Sequence, residues 1–222
     1  YPHAMVAQAW LDRDDVHDVL AGQAEFGFVR GIRNKPSAAH APYAPEPGPR
    51  GSMSDDKWRR GYALLERFGL SFDLQVAFWH LPEAALLARD FPGIQIIVNH
   101  TGLPYERSEA GLSAWREALQ TVATHSNVAL KISGLGLPGV GWLVDVQRTV
   151  VLDAIRIFGV DRCMFASNFP VDGLVGDFTT IMGGYRSIVA DFPAEDRRKL
   201  FHDNAVKYYR LENERPRSAG GP

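Results

Sequence analysis

The chain has 222 residues, of which 45% are apolar and 23% charged, and its formal net charge is −2. This composition is typical of a globular protein, and it excludes both a basic stripe for nucleic acid and a polybasic segment for a membrane surface. We therefore expect a small-molecule substrate as the partner. Cys163 is the single cysteine, so no disulfide forms within the chain. With no signal-peptide pattern, the expected location is cytoplasmic.

Apolar runs separated by helical patterns give the chain its organisation. Strands are predicted at residues 4–11, 27–33, 70–78, 94–100, 128–134 and 162–168. Helices are predicted at residues 12–25, 54–69, 81–91, 111–125 and 146–158, with Ser54 as an N-cap and two further helical segments behind. The composition of residues 212–222 predicts a disordered tail.

The stretch from residue 34 to residue 55 is rich in Pro, Gly, Ser and Ala and predicts no regular structure. It is longer than most loops, so it is either disordered or functional, and its place after a strand suits a lid over a site. His40 lies in this loop and His80 lies in another, and both are predicted to be solvent-exposed structural residues.

Six strands that alternate with helices predict an α/β fold with a parallel sheet of right-handed βαβ units. Two closures fit, an open doubly wound sheet and a (β/α)8 TIM barrel that lacks two strands. The letters GLGLPG at residues 134–139 match a dinucleotide-binding fingerprint, but they contain Pro138 and no ribose-binding acid follows at the usual distance. The alternation within the strands favours the incomplete barrel, because apolar side chains of one parity would face the helices and polar ones the barrel mouth.

Polar side chains stand at the carboxyl ends of five predicted strands, which is where barrel enzymes place their catalytic groups. They are Arg33, Gln75, His100, Lys131 and Asn168. By the parity count, His100 points inward together with Ile96 and Val98. Structural alternatives exist for each: His100 shapes the turn at Thr101, Lys131 forms an ion pair inside the barrel, and Asn168 forms a turn.

The segments FVRGIRN, IIVNHTGLP, VALKISGL, RCMFASNFPVD and LFHDNAVKYYRL, in this order, resemble the amidohydrolase-related family of barrel hydrolases. The resemblance is to its sugar-lactonase and 2-pyrone-4,6-dicarboxylate lactonase branch. It runs from about residue 2 to residue 211 and implies a single partial barrel domain over residues 1–211. The six strands would then be strands three to eight of the family barrel.

The resemblance also implies an HxH pair on the first strand, one later histidine, and a final aspartate that acts as general base or metal ligand. His100 matches the later histidine, and we expect the HxH pair, which these 222 residues lack, to lie upstream. The implied cofactor is one divalent metal, zinc or manganese, with His100 as a ligand. Asn168 stands where the family often has aspartate, and an amide coordinates metals poorly, so a metal-free reaction stays an alternative. Asp172 is the nearest substitute carboxylate; otherwise it caps a turn.

For a lactone hydrolase, the resemblance and the chemistry of ester opening imply roles for these residues. His100, Asn168 and Asp172 are the catalytic candidates, with His100 polarising the carbonyl or holding a metal. Arg33 and Lys131 would bind anionic oxygens. The pocket would be shaped by Gln75, Trp79 and Tyr105, although Trp79 also suits the core.

Three functions are open from the sequence. The leading one is a hydrolase that opens a sugar-acid or aromatic-derived lactone by water attack. The second is a metal-dependent aromatic-acid decarboxylase, against which Asn168 counts because that chemistry needs the final aspartate. The third is a non-catalytic binding remnant, since a barrel lacking two strands exposes two sheet edges that would pair with another chain, for example in a homo-oligomer.

Overall fold

The structure is a computed structural model that describes residues 3–42, 44 and 50–211. Its six strands form one parallel sheet in sequential order. The strands are β1 (Met5–Gln8), β2 (Val29–Asn34), β3 (Ser71–Leu74), β4 (Ile96–Val98), β5 (Val128–Ile132) and β6 (Cys163–Phe165). Sequential order excludes the doubly wound alternative, in which the strand order reverses at the middle of the sheet.

Helices connect each strand to the next and close the chain. They are α1 (Val16–Ala24), α2 (Asp56–Arg67), α3 (Leu81–Asp90), α4 (Glu109–Ala123), α5 (Val144–Phe158), α6 (Phe178–Ile188), α7 (Ala194–Arg198) and α8 (Asn204–Tyr209). A π-helical turn, Lys199–Asp203, joins α7 to α8. The predicted tail at 212–222, and residues 43 and 45–49 of the predicted loop, lie outside the described residues. None of the described helices is long and apolar enough to cross a bilayer.

The main core lies between the helices and the outer face of the sheet. Trp58 and Tyr62 of α2 stack at 5.2 Å between ring centres, and both meet Phe72 of β3 edge to face. All three rings are at most 1% exposed. Cys163 is fully buried in the same core, as its apolar context predicts, and burial raises the pKa of its thiol. This core packs against the outer face of the sheet only.

The inner face of the sheet has a smaller core and a buried ion pair. Ile97, Ala129 and Met164 pack against Tyr208 of α8. Beside them, Lys131 Nζ lies 2.7 Å from Asp73 Oδ2, and the hydroxyl of Tyr209 donates to the same carboxylate. The C-terminal helix therefore covers part of the surface that faces the interior of a barrel.

The parity predicted for β4 is wrong. Ile96 and Val98 pair with residues of the outer face and belong to the main core, whereas Ile97 faces inward. All three are fully buried. A strand that is buried on both faces carries no alternation from which its inward side could be read. His100 still reaches the inner side because the strand ends at Val98 and the chain turns.

Two further expectations need correction. The N-cap of α2 is Asp55, whose carboxylate accepts from the backbone N–H of Lys57, while Ser54 donates instead to Glu83 of α3. His80 is not solvent-exposed: it is buried, and its Nε2 accepts from the backbone N–H of Ala39 at 2.9 Å. The long loop is thus fastened to the turn after β3. His40, by contrast, is exposed as predicted.

Two glycines test how closely α2 is packed. A Cβ on Gly61 would lie 1.9 Å from the backbone carbonyl oxygen of Leu11, whereas a Cβ on Gly22 of α1 meets nothing within 4 Å. We expect Gly61→Ala to lower the free energy of unfolding by about 1–3 kcal/mol through overpacking. Gly22→Ala, the control, should raise it by about 0.5–1 kcal/mol because alanine favours a helix. Urea denaturation measures both, and equal effects would contradict this packing.

Candidate functional site

His100 lies in a left-handed turn that begins where β4 ends. The backbone φ angles of His100, Thr101 and Gly102 are 54°, 57° and 67°, a conformation that non-glycine residues rarely adopt. The indole of Trp115 donates to the carbonyl of Thr101 at 2.8 Å. The hydroxyl of Thr101 donates to the carbonyl of Ser133 at 3.0 Å and accepts from its backbone N–H. These bonds, made from α4 and from the end of β5, hold the turn.

Both ring nitrogens of His100 have partners. Nε2 lies 3.0 Å from a terminal nitrogen of Arg33, and Nδ1 lies 3.0 Å from Oγ of Ser133. The same Arg33 nitrogen also donates to the side-chain oxygen of Gln75. Three of the five predicted strand ends, those of β2, β3 and β4, thus meet in one hydrogen-bonded group, which we call the Arg33–His100 couple.

The surroundings of His100 keep its imidazole neutral. Burial lowers the pKa of His100 to about 4, and the positive charges of Arg33, Lys131 and Lys35 add to the effect. A cation beside a buried histidine opposes a second positive charge. His100 therefore keeps one ring nitrogen unprotonated at neutral pH, and in this structure that nitrogen faces Arg33.

A hollow of about 390 Å³ opens beside Arg33. Its lining includes Gln8, Trp10, Arg33 and Lys35, so two cationic side chains border it. Lys35 follows β2 directly and is exposed, and its charge reaches His100. The two cations suit the hollow to an anionic group bound by Arg33.

Asn168 and Asp172 form a second group in the loop after β6. The amide of Asn168 donates to Oδ1 of Asp172 at 2.8 Å, and Oδ2 has no hydrogen-bond partner in the described part of the chain. Burial raises the pKa of Asp172, opposed by the Asn168 amide and by the backbone N–H groups of Gly136 and Leu135. The loop after β5 lies between the groups, since it contacts His100 through Ser133 and Asp172 through Gly136.

Lys131 is not presented to the mouth of the sheet. Its ammonium pairs with Asp73 and lies 5.2 Å from the ring centre of Tyr209. Burial and the nearby Asp73 raise the pKa of the Tyr209 hydroxyl. The structure thus supports the ion-pair alternative for Lys131. Its predicted contact with a substrate stays a prediction, and its charge contributes to the lowered pKa of His100.

Trp79 and Tyr105 lie together but apart from the Arg33–His100 couple. Their ring centres are 6.1 Å apart, and the indole of Trp79 donates to the carbonyl of Ala39 at 3.1 Å. Trp79 borders a cleft of about 710 Å³ whose lining includes neither Arg33 nor His100. Their predicted contact with substrate stays a prediction, and the structure shows Trp79 fastening the long loop.

The described residues do not make a metal site by themselves. They contain no group of three or more His, Cys, Asp or Glu side chains placed to hold a metal ion. The lone pair of His100 that faces the inner side accepts from Arg33, and the Asn168 amide is bonded to Asp172. A tetrahedral zinc site needs three or four such donors, so we derive no reaction step through a metal.

Ser133 and Lys35 are the two site residues that the sequence reasoning missed. Ser133 follows Lys131 by two positions in β5 and its extension, so the alternation that indicates Lys131 applies to Ser133 as well. A serine at a strand end has many structural uses, so its residue type alone does not predict a contact with His100. Lys35 was assigned to the irregular loop.

Gly134 tests how His100 is held. Its φ is +63°, and a Cβ there would lie 2.7–2.8 Å from the Cβ, Cγ and Nδ1 atoms of His100. We expect Gly134→Ala to displace the imidazole and to cost about 1–2 kcal/mol from the left-handed backbone alone. Gly139, with φ +75° and nothing near its Cβ, is the matched control.

Gly139→Ala should lower the free energy of unfolding through its left-handed backbone and leave His100 in place. Urea denaturation gives the stabilities, and the chemical shifts of the His100 ring report its position. A Gly134→Ala variant with wild-type ring shifts would contradict the contact.

The low pKa of His100 makes stability depend on pH. Between pH 6.5 and about 4, His100 binds a proton in the unfolded chain but stays unprotonated in the folded chain. The free energy of unfolding should therefore fall as the pH falls through this window, by up to about 3 kcal/mol from this residue. Urea denaturation of metal-free protein against pH measures the slope. A His100→Gln variant should lose this part of it, and an unchanged slope would show that His100 titrates normally.

Comparison with known proteins gives a family match and two relatives for the chain. The family described as "Amidohydrolase" matches residues 1–211. The uncharacterised protein y4mH of Sinorhizobium fredii is 41% identical over 214 residues, which cover 95% of this chain and 71% of that protein. An L-fucono-1,5-lactonase of Burkholderia ambifaria is 32% identical over 176 residues, covering 72% of this chain and 59% of that enzyme. The chain thus spans only part of the length of both relatives.

A solved structure agrees with the fold. The crystal structure of an amidohydrolase from Burkholderia multivorans with bound zinc superposes with a TM-score of 0.80, at 22% identity, over 94% of this chain and 74% of that one. The predicted α/β barrel, incomplete in the six strands seen here, is confirmed. The match over residues 1–211 also confirms the resemblance, and the chain belongs to the amidohydrolase family.

Proposed function

We propose that the protein is a lactone hydrolase in which the Arg33–His100 couple opens a ring ester by water attack. The observation that carries the proposal is the neutral, buried imidazole whose Nε2 lone pair faces a guanidinium at the carboxyl end of the sheet. A cation beside a neutral base is what ester hydrolysis needs, because one group binds oxygen anions and the other takes a proton from water. The lactonase relative supports the same reaction class.

The cations beside the hollow favour a lactone that carries a carboxylate. Arg33 can bind a carboxylate through two parallel hydrogen bonds, and Lys35 adds a second positive charge. Aromatic-derived lactones with ring carboxylates fit this chemistry better than neutral sugar lactones do. The sugar-lactone class remains the alternative, and the L-fucono-1,5-lactonase relative favours it.

Substrate binding would also activate His100. In the described structure Arg33 occupies Nε2, so the imidazole cannot accept a proton until the guanidinium turns toward an anion. Pairing of Arg33 with a substrate carboxylate would free Nε2 and offset one of the charges that lower the pKa of His100. The base would then form only when the correct anion is bound.

The proposed reaction balances with water alone. The water oxygen bonds to the lactone carbonyl carbon while His100 Nε2 takes its proton, and the ring carbon–oxygen bond then breaks. The proton passes to the departing alkoxide, and the products are a carboxylate and a hydroxyl on one chain, with the second proton released. We propose Asp172 as the second proton carrier, because its pKa is raised and its Oδ2 has no hydrogen-bond partner among the described residues.

The decarboxylase alternative is less well supported. It depends on a final aspartate, and Asn168 stands at that position, held by Asp172. A divalent metal, zinc or manganese, would need ligands beyond the described residues.

The proposal has three further parts. They are a small-molecule substrate, a cytoplasmic location and a homo-oligomer paired through the edges of β1 and β6.

Hydrolysis assays with three lactones test the function. The probes are 2-pyrone-4,6-dicarboxylate, L-fucono-1,5-lactone and neutral δ-valerolactone, each followed by acid release with EDTA, with Zn²⁺ and with Mn²⁺. We expect the dicarboxylate to give the highest kcat/KM. Arg33→Met should lower that value by about 10- to 100-fold, which corresponds to one charge-assisted hydrogen bond, and should affect δ-valerolactone less.

The control is Arg13→Met, which removes an exposed arginine paired with Asp15 and should leave kcat/KM unchanged. Preference for L-fucono-1,5-lactone would shift the substrate class to sugar lactones. No hydrolysis under any of the three metal conditions would contradict the proposal and favour the binding remnant.

A further inference from the structure

We propose that Ser133 is a positioning residue that holds His100 as the Nδ1–H tautomer, with the bare Nε2 facing Arg33. The effect on catalysis rests on the proposed function, whereas the tautomer itself does not. Ser133 touches neither of the groups assigned to substrate binding, and its side chain is fully buried. Its hydroxyl lies 3.0 Å from Nδ1 of His100.

The tautomer follows from which atoms can donate. A guanidinium has only N–H donors, so the 3.0 Å contact between Arg33 and Nε2 requires Nε2 to accept. A neutral imidazole has one protonated nitrogen, and with Nε2 bare the proton lies on Nδ1. The Nδ1–H group then donates to Oγ of Ser133. The opposite tautomer would place two N–H groups against each other at Nε2.

Ser133 is itself fixed independently of the imidazole. Its backbone N–H donates to the hydroxyl of Thr101 at 3.2 Å, and its carbonyl accepts from that hydroxyl at 3.0 Å. Gly134 packs directly against the His100 ring on the same strand extension. The backbone that carries the Ser133 hydroxyl is therefore held in place, and while Arg33 donates to Nε2 the hydroxyl oxygen accepts from Nδ1–H.

The consequence appears when Arg33 turns away. Once the guanidinium binds an anion, Ser133 is the described side chain still bonded to the imidazole. An Nδ1–H held by Ser133 leaves Nε2 able to take a proton from water, whereas the Nε2–H tautomer could only donate. A buried Nδ1–H without an acceptor would be strongly disfavoured.

The test is ¹⁵N NMR of the His100 ring in the protein at pH 7, where the imidazole is neutral. In the wild type we expect Nδ1 to be protonated and Nε2 to be bare. Ser133→Ala should lower the ratio of the Nδ1–H to the Nε2–H tautomer by at least about tenfold, because the donor loses its acceptor. Ser133→Cys, with a weaker acceptor of similar size, should give an intermediate ratio.

Thr101→Val is the comparison variant, because it removes the bonds that hold the turn and the Ser133 backbone while it keeps the Ser133 hydroxyl. It should change the ratio less than Ser133→Ala does. Protonated Nε2 in the wild type would overturn the proposal, as would an equal change in Ser133→Ala and Thr101→Val, since the effect would then come from the turn.

Kinetics separate this inference from the proposed function. If a lactone is hydrolysed, Ser133→Ala should lower kcat by tenfold or more with little change in KM, because Arg33 still binds the substrate. An unchanged kcat in a variant whose tautomer ratio has shifted would overturn the positioning role. If no lactone is hydrolysed, the proposed function fails, while the NMR result still decides the tautomer.

Discussion

The site depends on one constraint, the left-handed turn that takes the chain out of β4. By leaving the strand at Val98, the chain frees His100 from the alternation of the strand and brings its ring to the inner side of the sheet. Such a turn is costly for residues with side chains, and the bonds from Trp115 and Ser133 to Thr101 hold it. Neighbouring elements therefore stabilise a conformation that the segment would not keep alone.

The chemistry of His100 follows from this burial. Inside the sheet the imidazole is desolvated and lies near three cations, so it stays neutral and accepts from Arg33. The neutral imidazole adds no second charge beside the guanidinium of Arg33, which is itself only half-buried. The carboxylate of Asp73 is committed elsewhere, to Lys131 and Tyr209, and so does not neutralise the charge of Arg33. That charge stays available to an anion.

Much of the site could be predicted, for a topological reason. Parallel strands end at the same edge, so polar residues at the ends of β2, β3 and β4 had to come near one another, and Arg33, Gln75 and His100 do. The prediction was less informative for Trp79 and Tyr105, which lie in loops whose path no periodicity specifies. Counting along a strand locates a residue only while the strand continues.

By itself, the sequence determined the order of the strands and helices, the parallel sheet and the strand ends at which polar groups gather. Periodicity and chain connectivity depend on residues that are close together in the chain, so they can be read from the sequence. The tertiary structure alone decided that Ile97 faces inward, that His80 is buried and that Lys131 pairs with Asp73. It also assigned the imidazole proton of His100, since that choice depends on a donor in β2 and an acceptor after β5. Contacts between residues far apart in the chain leave no periodic signal, so only folding reveals them.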